Sequence, residues 1–313
     1  MKRQHICKIM TSLLLVCSMT LFSGCAMDDA ENWLTDAIRQ AFGGGDNDNE
    51  GTSCTVYFLD VGQGDSTLII TDSASILIDA GEQSAGDDVL ADLQQYGVET
   101  LDWIICTHPH ADHIGGFSIL LDYAADYSDL TIENAMMPDL PDSMIPTTQT
   151  YENFLDGIEK NDISITTAEE MTLDLGSASL QIIPSPGTDY SSLNDYSICA
   201  YLTCGETSFF FTGDASEPEE TDLLEAGQVQ SVDVLKVGHH GSKESSTEAF
   251  LGAMQPSYAV ISCEADNSYG HPTSEALERL EVYCGTQIWR TDKDGTVEIT
   301  SDGETLTVTT EKG

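Results

Sequence analysis

The stretch Cys106-Thr-His108-Pro-His110-Ala-Asp112-His113-Ile-Gly-Gly116 places three histidines and one aspartate within six positions. The whole chain holds only seven histidines. Imidazole nitrogens and a carboxylate suit Zn²⁺ or a similar divalent ion. In a loop after a strand, His108 and His110 can point to one side while Asp112 and His113 point to another. Two neighbouring ions would clamp the attacking and leaving oxygens, with a bridging hydroxide as nucleophile. A polar loop whose histidines cap a helix would explain a single His-x-His. It is a weak account of His-x-His-x-Asp-His followed by Gly-Gly. The remaining histidines fit the chemical reading. Apart from His5, they are His239, His240 and His271, all in loops at the ends of strand-like runs.

Elements able to position these loops are legible around them. "CTVYFLD", "STLIITD" and "SILIDAG" read as short strands, rich in β-branched residues and broken by Gly and Asp turns. "DDVLADLQQYG" has helical spacing and a Gly stop. "LDWIICT" is a buried strand running straight into the histidine loop, and "IGGFSILLDYAADY" is helical. "ISITTAEEMTLDLGSASLQIIPS" gives two or three strands, and "YSICAYLTCGETSFFFTGD" a hairpin ending at Asp214. "PEETDLLEAG" is a helix, and "VDVLKVGHHGS" is a strand feeding the second histidine loop. A helix and strand follow in "STEAFLGAMQPSYAVISCE", then a helix in "SEALERLEVYC" and a terminal hairpin. Two groups of strands with interleaved helices suit two sheets packed face to face with helices outside.

The ends and the charge bound what such a domain meets. "MKRQHICKIMTSLLLVCSMTLFSGC" has a basic head, an apolar run too short to span a bilayer, and small residues before Cys25, the layout of a secretory signal peptide. "LFSGC" looks like a bacterial lipobox, so residues 1–25 read as a lipoprotein signal with Cys25 lipidated. Residues 26–53 end in Gly, Asp and Asn and read as an acidic tether. The folded domain is then 54–313, outside the cytoplasm and held to a bacterial membrane through the lipid alone. The chain has 54 acids against 11 bases, a formal charge of −43. Duplex nucleic acid is bound mainly by phosphate neutralisation, and there is no basic patch, so long nucleic acid is disfavoured as a partner. Cys54, Cys106, Cys199, Cys204, Cys263 and Cys284 remain in the domain. They permit disulfides in that compartment, yet most sit in apolar strand-like runs where Cys acts as a small hydrophobe.

An ordered series of motifs resembles the metallo-β-lactamase superfamily: "FLDVGQGDSTLI" (58–69), "ILIDAG" (76–81), "THPHADHIGG" (107–116), "LNDYSICAYL" (193–202), "FFFTGD" (209–214), "LKVGHHGS" (235–242) and "YGHP" (269–272). Within it the set is similar to the metallo-hydrolase domain of ComEC-type competence proteins and their free-standing secreted relatives. The resemblance implies a single α/β domain, the αββα four-layer sandwich. It implies that His108 and His110 bind a first metal, that Asp112 and His113 bind a second, and that Asp214 bridges the two or serves the second. His239 or His240 completes the second site, with His239 favoured as the first residue off the strand. Asp112, His240 and His271 are the catalytic candidates, His240 or His271 protonating the leaving oxygen. Asp79 orients the metal loop through hydrogen bonds. Many superfamily members have a histidine where Asn194 stands. Asn is a weaker, neutral ligand, so one ion or two, Zn²⁺ or Mn²⁺, are all open.

Two further features fit a phosphate-like substrate. The turn at Gly62, Gln63 and Gly64 offers backbone N–H groups. Ser242, Lys243, Ser245 and Ser246 follow the second histidine loop at an expected helix N-terminus, where anions bind. The resulting expectation is a surface-anchored, metal-dependent phosphodiesterase acting on nucleic acid, a nucleotide or a small cell-surface phosphodiester. The alternatives are hydrolysis of a lactone, thioester or β-lactam bond, an accessory role in DNA uptake, and a metal-holding binding protein.

Overall fold

In Cys54-Thr-Val-Tyr-Phe58 every second residue is buried, the period-2 pattern of a strand with one face on a core. The computed structural model describes residues 53–284 and 287–313. The signal peptide, Cys25 and the tether as far as residue 52 lie outside the described residues. Among those described, the first half forms β1 (Cys54–Phe58), β2 (Thr67–Thr71), β3 (Ser75–Ile78), β4 (Thr100–Leu101), β5 (Trp103–Ile105), β6 (Thr131–Ile132), β7 (Ala135–Met137) and β8 (Ile165–Thr167). The second forms β9 (Met171–Asp174), β10 (Ser179–Ile183), β11 (Cys199–Cys204), β12 (Thr207–Phe211), β13 (Val234–Lys236), β14 (Tyr258–Ile261) and β15 (Ile288–Arg290). The tail adds β16 (Val297–Ser301) and β17 (Leu306–Thr310).

One sheet runs β17-β16-β1-β2-β3-β5-β7-β8 and the other β15-β14-β13-β12-β11-β10-β9, with β4 and β6 as a small separate pair. The terminal hairpin therefore returns to the first sheet, where β16 lies antiparallel to β1. Val56, Phe58, Ile69, Ile76 and Ile78 from the first sheet pack against Leu180, Ile182, Leu202, Phe209 and Phe211 from the second. The outer face of the first sheet, with Leu68, Leu77 and Ile104, is covered by Val89, Leu93, Phe117, Leu120 and Phe154 from three helices. The outer face of the second, with Phe210, Leu235 and Ala259, is covered by Leu223, Phe250, Leu251 and Leu280. The order helix–sheet–sheet–helix is the four-layer sandwich expected from the sequence.

One covering helix, Gln149–Lys160, was not anticipated. It has ordinary local causes. Thr148 Oγ1 accepts from Tyr151 N–H at its start, and Phe154 and Ile158 share its buried face at i, i+4 spacing. No helix among the described residues is long and apolar enough to cross a membrane.

Candidate metal centre

The chemistry-bearing loops leave the C-terminal ends of strands from both sheets, along one edge of the sandwich. β3 ends into Asp79, β5 into Thr107 and His108, β12 into Asp214, and β13 into His239 and His240. Close backbone approach holds them there. Asp65 N–H donates to the Asp112 carbonyl at 3.1 Å, and Ala80 N–H to the His113 carbonyl at 2.7 Å. A Cβ on Gly64 would sit 2.5 Å from the Asp112 carbonyl oxygen, so only glycine allows the first loop to lie against the metal loop.

One atom organises the cluster. Asp214 Oδ2 lies 3.3 Å from His113 Nε2, 3.7 Å from His240 Nε2, 3.8 Å from His239 Nε2 and 3.9 Å from His108 Nε2. Asp112 Oδ2 is 3.4 Å from His240 Nε2. Two compact ligand sets result: His108, His113 and Asp214, and Asp112, His113 and His240. Further sets bring in Asp65 and Asp79. His110 stands outside these sets, its Nδ1 3.0 Å from His108 Nε2.

Outer partners fix the rings. Asp79 accepts from Thr107 N–H at 2.8 Å and Thr107 O–H at 2.6 Å, and its Oδ2 lies 2.7 Å from His113 Nδ1. The carboxylate puts the His113 proton on Nδ1 and leaves Nε2 to face Asp214. Ser262 carbonyl, 3.0 Å from His240 Nδ1, does the same for His240. Burial disfavours the imidazolium of His113, but Asp214 and Asp79 outweigh it and hold its pKa well above the ordinary value. His240 is likewise pushed up to about 10, Asp214 and Asp65 overcoming burial. His108, fully buried beside His113, is held well below its ordinary value.

The donor set fits a divalent ion. His113 Nε2, Asp214 Oδ1 and His240 Nε2 are buried with no hydrogen-bond partner among the described residues. Buried polar atoms seldom go unsatisfied, and these converge on one place. A cation among them would satisfy lone pairs and neutralise the carboxylates together.

The sequence reading favoured His239 over His240 at the second metal position; the geometry brings His240 rather than His239 into a compact candidate set with Asp112 and His113. Both residues have positive φ, 49° and 54°. Two left-handed residues in succession turn the chain back on itself. The second ring is then buried beside Asp112 and Asp65, while the first stays a quarter exposed. His239 instead faces a cavity of about 320 Å³ lined by Gln63, His110, Asp112, Asn194, His271 and Tyr269, among others. Asn194 Nδ2 is 3.3 Å from His239 Nε2.

Ser242 and Lys243 do not line that cavity. The helix they were expected to open begins later, at Glu248, and Thr247 caps it. The anion-binding N–H groups ahead of it are already taken by Glu220, whose carboxylate accepts from Ser246 N–H at 2.5 Å and Thr247 N–H at 2.9 Å. One amide of the Gly62–Gly64 turn is also spent internally, Gly64 N–H donating to the Gly62 carbonyl.

Glu220 yields a pH prediction. Burial pushes its carboxyl up to about 7, with the two backbone N–H bonds pulling only partly back. The folded protein therefore binds more protons than the unfolded chain between about pH 4.5 and 7, and stability falls as pH rises through that window. The shift is worth roughly 3 kcal/mol. Thermal melts of metal-free protein should show Tm dropping from pH 5 to pH 7.5, and Glu220→Gln should flatten that slope. An equal slope in the variant would refute the assignment.

Sequence reasoning missed three residues. Asp65 and Lys236 form a buried ion pair behind the cluster. Tyr269, 68 % exposed, stacks on His271 with ring centroids 5.9 Å apart at the cavity rim.

Comparison with known proteins agrees with this geometry. The sequence profile of the metallo-beta-lactamase superfamily matches residues 59–160 and 185–265. Relatives include ComE operon protein 3 of Bacillus subtilis (strain 168), 28 % identical over 283 residues, covering 79 % of this chain and 35 % of that protein. Recombination protein 2 of Haemophilus influenzae is 30 % identical over 231 residues, covering 72 % and 26 % respectively. The chain thus spans about a third or less of the length of these curated relatives. Among solved structures, the metallo-beta-lactamase fold protein YhfI from Bacillus subtilis superposes with a TM-score of 0.50 at 11 % identity. That alignment covers 82 % of this chain and 100 % of YhfI. The profile match, the four-layer sandwich and the His/Asp cluster at its strand ends agree: this chain belongs to the metallo-β-lactamase superfamily and is related to the ComEC-type competence proteins.

Proposed function

We propose that this protein is a divalent-metal-dependent phosphodiesterase, anchored outside the cytoplasm through Cys25. The observation that carries the reading is the convergence of unpartnered His and Asp atoms around Asp214, opening onto a cavity that Asp112 and Asp214 line together with histidines, Gln63, Asn194 and Tyr269. His108, Asp112, His113, Asp214 and His240 are the residues that would hold one or two ions, Zn²⁺ or Mn²⁺, with His110 next to His108 able to join them. Such ions supply Lewis-acid polarisation of a phosphoryl oxygen and acidify water at the site.

The protein's own groups do the rest. Asp79 and the Ser262 carbonyl hold His113 and His240 in the tautomer that leaves Nε2 free. Asn194 and Gln63 offer neutral amide donors to the phosphoryl oxygens without adding charge. His271 and its neighbour His239, ring centroids 5.3 Å apart at the cavity wall, would pass a proton to the leaving oxygen. Tyr269 offers an exposed ring face to an apolar or planar leaving group. The formal charge of −43 favours a small phosphodiester over long nucleic acid.

The test is hydrolysis of bis(p-nitrophenyl) phosphate by purified protein, stripped with EDTA and reloaded separately with Zn²⁺ or Mn²⁺. Turnover should require metal and disappear in Asp112→Ala. A folded, metal-loaded protein that leaves this substrate intact would overturn the proposal and direct the next assays to lactones and thioesters.

A further inference from the structure

Cys54 opens β1 in the first sheet and Cys204 closes β11 in the second. Their neighbours show how near they come. Cys54 pairs with Ser301 across β1 and β16, and Cys204 pairs with Thr207 across β11 and β12. Ser301 Oγ and Thr207 Oγ1 are only 2.6 Å apart, a hydrogen bond between the two sheets. Both thiols are buried in the core between those sheets. The two thiols lie within hydrogen-bonding reach of each other, a contact that holds Cys204 below and Cys54 above the ordinary thiol range. The other cysteines differ. Cys199, Cys263 and Cys284 direct their sulfurs to oxygens of Thr212, Asp292 and Pro256. Cys106 sits in the separate cluster beneath the helices of the first sheet.

The pair stands at the far edge of the sandwich from the metal centre. β1 runs from Cys54 towards the Gln63–Asp65 loop, and β12 runs from Thr207 towards Asp214. Cys54 is also the residue at which the acidic 26–53 segment enters the fold. A covalent link there would tie that entry point to both sheets, where strain from an anchored segment would arrive.

We propose that Cys54 and Cys204 form a disulfide that staples the two sheets together when the protein meets a disulfide oxidant. The Cys204 sulfur attacks one sulfur of the oxidant and expels its first thiol. Cys54 then attacks Cys204 in the mixed disulfide and expels the second. With glutathione disulfide, the two protein thiols are oxidised to one disulfide and the glutathione disulfide is reduced to two glutathione thiols. The bond closes a long loop in the unfolded chain, which is where such links stabilise most.

The test does not depend on where the protein resides. The full chain is refolded from guanidinium in a glutathione redox buffer, quenched with an alkylating agent and digested without reduction. The expected product is a Cys54 peptide joined to a Cys204 peptide, with the other domain thiols alkylated. Dithiothreitol should lower Tm by roughly 10 °C. Cys54→Ser and Cys204→Ser should each abolish the linked peptide and the response to dithiothreitol, whereas Cys106→Ser should keep both. Two alkylated thiols at these positions, while a control disulfide protein oxidises in the same buffer, would overturn the proposal. So would a bond from either residue to another cysteine.

Discussion

Replacing Asp214 by alanine should leave a folded protein that no longer holds its metal and has lost at least about 100-fold in kcat/KM. Loss of an outer partner of a metal ligand already costs 10–100-fold, and Asp214 stands inside that shell. Its Oδ2 is within 4 Å of ring nitrogens from four histidines, and its Oδ1 has no hydrogen-bond partner among the described residues. The fold should survive because His113 and His240, charged through this carboxylate, can shed their protons once it is gone, so that no buried charge is stranded. Burial alone would raise its carboxyl, yet His113 and His240 keep it well below the usual range. The measurement is metal content by mass spectrometry beside phosphodiester turnover. The two adjacent histidines should separate in the same experiment. His240→Ala should lose metal, because its Nε2 faces Asp112 and Asp214 from a buried position. His239→Ala should keep metal and lose turnover, because its ring borders the cavity. Full metal content in Asp214→Ala would remove the centre of the argument.

That separation marks where the sequence stops being informative. The order of the motifs and the switch between period-2 and helical spacing made both sheets, the layers and most of the candidate site legible. These are local properties, written in consecutive residues. The choice between His239 and His240 is not local. It follows from two left-handed backbone positions, which no side-chain pattern announced. The place of the terminal hairpin was hidden for a related reason. β16 and β17 alternate like any edge hairpin, and only the tertiary pairing with β1 puts them in the first sheet. The supposed anion site after the second histidine loop failed because its N–H groups are met by Glu220, more than twenty residues upstream. The helix Gln149–Lys160 is a different case. Its Thr cap and its Phe154/Ile158 stripe were present to be read.

Asp65 and Lys236 carry the second large effect, and they are the residues whose partnership a sequence conceals best. The two are 171 positions apart. Asp65 looks like a turn acid in "VGQGD", and Lys236 looks like the polar end of a strand. In the folded protein both are almost fully buried and joined directly, with the Lys236 ammonium also 3.4 Å from the Gly213 carbonyl. Burial would raise the Asp65 carboxyl, but Lys236 and then His240 hold it below its ordinary value, so it is ionised. Removing one member of such a pair strands the other charge, at a cost of about 3–5 kcal/mol. Lys236→Met and Asp65→Leu should therefore each lower Tm by roughly 6–20 °C. The double variant should regain most of that loss, since replacing a whole buried pair by apolar groups is often neutral or stabilising. It should not regain turnover. Asp65 Oδ1 lies 3.4 Å from His240 Nδ1, and Oδ2 lies 4.0 Å from His113 Nδ1. The pair therefore sits directly behind two rings that must present Nε2 to metal. Recovered stability with lost turnover would show that the ion pair is kept for the aim of those rings. If both return together, the pair acts only through the fold. If the single variants melt like the wild type, the buried pair does not exist in solution.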